Sequence, residues 1–123
     1  MPVLRSPESP THAVGDNRFT ALANPSNGAR ETSVWRVTVP AGSASPVHRL
    51  TREEVFVILS GRAAVTLDGE HTVGPGDVIV VPPDVDFALA IPDDAPLEAL
   101  CCLPVGGQAV LPGQPPFTPP WAQ

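Results

Sequence analysis

The chain has 123 residues, enough for one domain that buries about two-thirds of the surface its unfolded form would expose and too few for a second core. Seventeen prolines and ten glycines set between regularly spaced apolar runs exclude a helical fold, because proline inside a helix costs roughly 3 kcal/mol; short strands joined by tight turns, an all-β class, remain. A formal charge of −6 with no lysine and seven scattered arginines argues against a phosphate-tracking surface and so against nucleic acid as a partner. Without lysine or tyrosine, Schiff-base and phenolic proton chemistry also drop out.

In chain order, residues 1–17 read as a polar, proline-rich arm. The arm holds no apolar run of signal-peptide length, and nothing in the chain nears the ~20 apolar residues of a membrane span, so the expectation is a soluble cytoplasmic protein with no membrane partner. A barrel domain is expected over 18–110. Its first strand falls at 18–23, before the turn Asn24-Pro25-Ser26-Asn27-Gly28, and a β-branched run at 31–39 stops at Pro40-Ala41-Gly42. A short strand at 47–50 follows, then strands at 55–59 and 63–67 around the turn Ser60-Gly61. Asp68-Gly69 is a hairpin signal, and the polar Glu70-His71-Thr72 after it reads as a solvated turn. Gly74-Pro75-Gly76-Asp77 turns the chain into 78–81, followed by strands at 87–91 and 97–103 with a turn at 92–96 between them. Such even punctuation fits a closed or double-sheet β architecture. The tail, 111–123, is rich in proline around Phe117 and Trp121 and should lie extended across the barrel, anchored by its aromatic rings.

Cys101 and Cys102 are adjacent, which places them on opposite faces of a strand and makes a disulfide between them strained; they read as reduced thiols. Glu98 should face solvent, so alternation turns Leu97, Ala99, Cys101 and Leu103 inward.

The stretch 42–61 reads Gly-Ser-Ala-Ser-Pro-Val-His-Arg-Leu-Thr-Arg-Glu-Glu-Val-Phe-Val-Ile-Leu-Ser-Gly. It resembles the first motif of the cupin superfamily, G-x5-H-x-H-x3-E-x6-G, in every spacing: His48, Glu54 and Gly61 fall in their slots and Leu50 stands in the second histidine slot. The stretch 76–91 is similar to the second motif, G-x5-P-x-G-x2-H-x3-N, with Gly76 and Pro82 in register but Asp84, Phe87 and Ile91 in place of Gly, His and Asn. The resemblance, to a small single-domain cupin of the cupin-2 type, implies one jelly-roll β-barrel, a double-stranded β-helix. It also implies a divalent metal such as Fe, Mn, Ni or Zn held by three histidines and a glutamate, in a family of dioxygenases, isomerases, decarboxylases, lyases and sensors.

Two of those slots hold Leu50 and Phe87, which have no donor atom, so the metal site is degenerate and no cofactor is expected. The alternative is a metal-dependent, dioxygenase-like enzyme in which His48, Glu54 and Cys101 hold the ion. The main reading is a barrel that binds a small, mainly apolar metabolite. In it His48 and Glu54 form a catalytic pair for metal-independent isomerisation, cyclisation or dehydration, with His48 as base and Glu54 holding its proton. Leu50, Phe56, Ile58, Phe87, Leu89 and Cys101 are the expected pocket lining. A non-catalytic binding module is the third possibility. Residues 55–59 are apolar at every position, and Leu100 and Cys102 repeat this on the face opposite Cys101; a homodimer that buries these outer faces is expected, as the resemblance also implies.

Overall fold

The computed structural model describes residues 2–123. Eleven strands follow one another as β1 (Thr11–Val14), β2 (Asn17–Ala23), β3 (Thr32–Val39), β4 (Arg49–Leu50), β5 (Glu54–Ser60), β6 (Ala63–Thr66), β7 (Glu70–Val73), β8 (Val78–Val81), β9 (Ala88–Ala90), β10 (Leu97–Pro104) and β11 (Ala109–Val110). Three single 3-10 turns, Ser6–Glu8, Pro25–Asn27 and Pro120–Ala122, are the only helical pieces among the described residues. All pairings are antiparallel. One sheet has six strands in the order β1-β2-β3-β10-β5-β8.

Facing it, a three-stranded sheet β7-β6-β9 and the ribbon β11-β4 form the second layer. The segment before β4 joins the two: Ser45 N–H donates to Leu89 O at 2.8 Å, and His48 and Phe87 exchange backbone bonds of 3.0 and 2.8 Å. This double-layered antiparallel arrangement is a cupin-type jelly roll. Its core sits between the layers and follows the strand period of two: Trp35 and Val37 from β3, Phe56 and Ile58 from β5, Ile79 and Val81 from β8, and Leu97, Ala99, Cys101 and Leu103 from β10 are all buried.

Two polar segments are strands rather than the arm and turn that composition suggests. Thr11–Val14 pairs along β2, with Thr11 opposite Thr20 and Val14 opposite Asn17. Glu70–Val73 pairs along β6, with His71 opposite Val65. Neither has an alternating apolar face, so period gives no signal; an open strand edge with unpaired N–H and C=O groups recruits them. His71 stays exposed in β7.

Gly61 closes the turn between β5 and β6 with φ +79°, and a Cβ there would run into the Pro96 carbonyl oxygen. Only glycine fits both demands. Asp84 adopts φ +59° while its N–H donates to Leu50 O at 2.8 Å, which explains why the similar motif has glycine in this slot.

Candidate functional site

Between the layers lies a cavity of about 620 Å³, within the roughly 300–1,000 Å³ range of sites for small molecules. Trp35 and Val37 of β3, Glu54 and Phe56 of β5, and Leu97 and Cys101 of β10 build one wall. The opposite side carries Leu50, Leu89 and Ile91, with the segment 43–46 leading to His48. Val14, Asn17 and Phe19 meet Phe117 and Trp121 of the tail around the rest.

Glu54 is the first residue of β5, and alternation with Val55 turns it inward with Phe56 and Ile58. It is 5% exposed, and no hydrogen bond from a described residue reaches its carboxyl group. Burial therefore raises its pKa to about 8, since the charged form loses hydration with nothing in return. At neutral pH it is a carboxylic acid.

His48 is half-buried. Its Nδ1 lies 2.8 Å from Pro46 O; a carbonyl only accepts, so Nδ1 carries the proton and Nε2 keeps the free lone pair. Burial lowers its pKa, against the opposing pulls of the Pro46 carbonyl and of Asp86. The ring leans on Phe87 with centroids 4.3 Å apart.

Both His48 and Glu54 line the cavity, yet no hydrogen bond or ion pair between described residues joins them. Pro46 takes Nδ1, so Nε2 is the nitrogen of His48 left to meet a ligand or a water in the cavity it shares with Glu54.

Of the expected lining, Leu50, Phe56, Leu89 and Cys101 lie on the cavity wall. Phe87 and Ile58 do not; each is 1% exposed in the solid core. Phe87 packs edge-on to Phe56 with centroids 5.9 Å apart, wedged between it and His48, so its ring fills space instead of bounding it. Cys101 is buried, and its thiol is pushed well up by burial and then by Glu54 and Cys102 nearby, while Trp35 pulls the other way. A thiol held protonated is a poor metal ligand.

The donor set does not fit a cupin metal. Leu50 and Phe87 offer none, and among the described residues no group of three His, Cys, Asp or Glu is gathered as a metal site. That includes the alternative trio His48, Glu54 and Cys101.

Sequence reasoning missed Trp35 and Phe19 as cavity walls. Alternation of Ser33, Trp35 and Val37 along β3 carried the first signal; the second needed the tail. Trp121 stacks on Phe19 with centroids 3.7 Å apart and planes 6° from parallel, and meets Trp35 edge-on at 6.3 Å. Asn24 Nδ2 donates to Trp121 O at 3.2 Å, Ser26 binds Gln123 O through its hydroxyl, and Ala109 and Phe117 exchange backbone bonds of 2.8 and 3.1 Å.

A family model for the cupin domain matches residues 35–103. An uncharacterized protein of Methanocaldococcus jannaschii is 39% identical over 72 residues, 57% of this chain and 58% of that protein. Auxin-binding protein 1 of Arabidopsis thaliana is 30% identical over 96 residues, 75% of this chain and 48% of that protein. The chain thus spans about half the length of the curated relatives it matches. Among solved structures, the polyketide cyclase RemF of Streptomyces resistomycificus superposes with a TM-score of 0.75 at 19% identity, over 85% of this chain and 79% of that one. No helix of the described residues is long and apolar enough to cross a membrane.

Proposed function

The chain belongs to the cupin domain family, and on that premise we propose that its barrel binds a small, mainly apolar metabolite and moves protons on it without a metal. The carrying observation is one buried carboxyl with no partner, on the wall of a cavity of about 620 Å³. Protonated Glu54 donates to a ligand carbonyl oxygen, and Nε2 of His48 takes a proton from carbon. Returning that proton to another carbon while the enol O–H proton goes back to Glu54 isomerises the ligand; passing it instead to a β-hydroxyl that leaves as water, with the enol proton again returning to Glu54, dehydrates it. Both groups face the one cavity, so a single ligand can meet both.

Small enolisable ketones in D2O, followed by NMR, test this reading. Wild-type protein should accelerate exchange of the protons beside the carbonyl; His48→Ala should abolish the effect, and Glu54→Gln should reduce it roughly 100-fold. Exchange indifferent to both substitutions sinks the catalytic role. Ligand binding without exchange favours the second reading, a non-catalytic binding module, which the name of the auxin-binding relative supports.

A homodimer goes with this reading. On the outer face of the six-stranded sheet Cys102, Val55 and Val80 line up across three strands, and Leu100, Val57 and Val78 do so beside them. Val78 and Val80 are 54% and 51% exposed. A second copy packed on this face by a two-fold axis would bury over ~1,000 Å², mostly aliphatic. Light scattering at micromolar concentration should return twice the monomer mass, and a monomer would refute it. Two free cysteines agree with a reducing, cytoplasmic setting.

A further inference from the structure

We infer that the cavity selects an uncharged, flat aromatic compound with a single oxygen acceptor, a ketone or aldehyde, and rejects carboxylate and ammonium analogues of the same ring. The inference rests on the binding reading above and narrows it to a ligand class.

Charge is the first ground. No arginine lines the cavity and the chain has no lysine, so a carboxylate or phosphate drawn inside would meet no permanent cation, and burial disfavours the charged form of His48. The arginine next to His48, Arg49, is 46% exposed in its side chain and faces Asp86 at 3.8 Å, away in solvent. A buried anion without a partner costs several kcal/mol. An ammonium ligand fares little better: it brings three donors, and Glu54 is the only carboxylate on the wall.

The second ground is Glu54 itself. Its carboxyl is deeply buried, faces the cavity and accepts no hydrogen bond from a described residue; Trp121 Nε1, a donor on the same wall, also has no partner among the described residues. A ligand with one oxygen in reach satisfies the carboxyl, and a pure hydrocarbon leaves it without a partner.

Shape is the third. Phe19, Trp35, Phe56, Phe117 and Trp121 all reach the wall, three from the six-stranded sheet and two from the tail. Aromatic faces and edges of this kind pack best on a flat ring, offset or edge-on.

Four probes with one ring system test the inference: naphthalene, acetylnaphthalene, naphthoate and naphthylmethylammonium. Both tryptophans of the chain line the cavity, so quenching of their emission reports occupancy, with calorimetry as the second measure. At neutral pH acetylnaphthalene should bind roughly tenfold tighter than naphthalene, and roughly tenfold or more tighter than either ion. Glu54→Gln, which keeps an N–H donor in a similar shape, should hold the ketone preference; Glu54→Leu should erase it while naphthalene binds as before.

Naphthoate or the ammonium binding as tightly as the ketone overturns the inference. So does a ketone with no advantage over naphthalene, or one whose advantage survives Glu54→Leu; in these cases the cavity still binds ligands and the broader reading stands. If none of the four binds, both fall.

Discussion

The two motif-bearing halves of the barrel have taken opposite routes from the same starting pattern. The first half, 42–61, keeps His48 and Glu54 on the cavity with their polar atoms accessible to a ligand. The second half, 76–91, has turned its site position into packing: Phe87 is 1% exposed between His48 and Phe56. A donor ring has become a wedge. Each half lacks one donor, at Leu50 and at Phe87, but only in the second half has the apolar ring become packing that fills volume beside the polar groups left opposite. Glu54 then holds its proton for want of hydration, not by any neighbouring charge.

Removing the wedge should have the largest effect. Phe87→Ala opens a hole beside His48 and Phe56 and should cost about 3–5 kcal/mol by denaturant unfolding. A loss under about 1 kcal/mol would mean that the second half is not a packing element.

Next comes the carboxyl of the first half. Its folded pKa, about 8 against an ordinary 4.5, means that the folded state holds a proton which the unfolded chain releases from about pH 5 upward. Stability linked to Glu54 is therefore full below the unfolded value, declines as pH rises, and levels off above about pH 8. Glu54→Gln should flatten that slope and leave the protein roughly 3 kcal/mol more stable than wild type at pH near 7. Parallel stability curves for the two proteins from acid to alkaline pH would contradict the account.

The motif glycines give the smallest contrast. Gly61 and Gly76 both have positive φ, +79° and +87°, but a Cβ on Gly61 strikes the Pro96 backbone while one on Gly76 meets nothing within 4 Å. Gly76→Ala should cost about 1 kcal/mol from backbone strain alone; Gly61→Ala should cost roughly 2 kcal/mol more, because the obstacle is main chain and cannot step aside. Equal losses would place the demand in φ alone.

Most of the barrel was legible in the residues. Strands β3, β5, β8 and β10 alternate or run apolar between Gly, Pro and Asp turns, and a period of two fixes which side chains face inward once one of them is placed. The inward set Leu97, Ala99, Cys101 and Leu103 is of this kind. So were His48 and Glu54 as cavity groups, since motif spacing encodes their offset along neighbouring strands. Strands β1 and β7 were not legible: their residues are polar, and they are strands because a partner edge lies beside them.

What sequence determined by itself was local and periodic: strand positions, inward faces, the loss of donors at Leu50 and Phe87, and the absence of lysine. What tertiary structure decided was every relation between segments distant in the chain. Pro46 occupies Nδ1 of His48 and leaves Nε2 as its free nitrogen. Phe87 lies behind the wall instead of on it, and Trp121 lies flat on Phe19, more than a hundred residues earlier, to complete the cavity. Periodicity reports which way a side chain points from its own strand. Only closure of the two layers sets what it then meets, because that depends on the depth and angle at which facing elements pack.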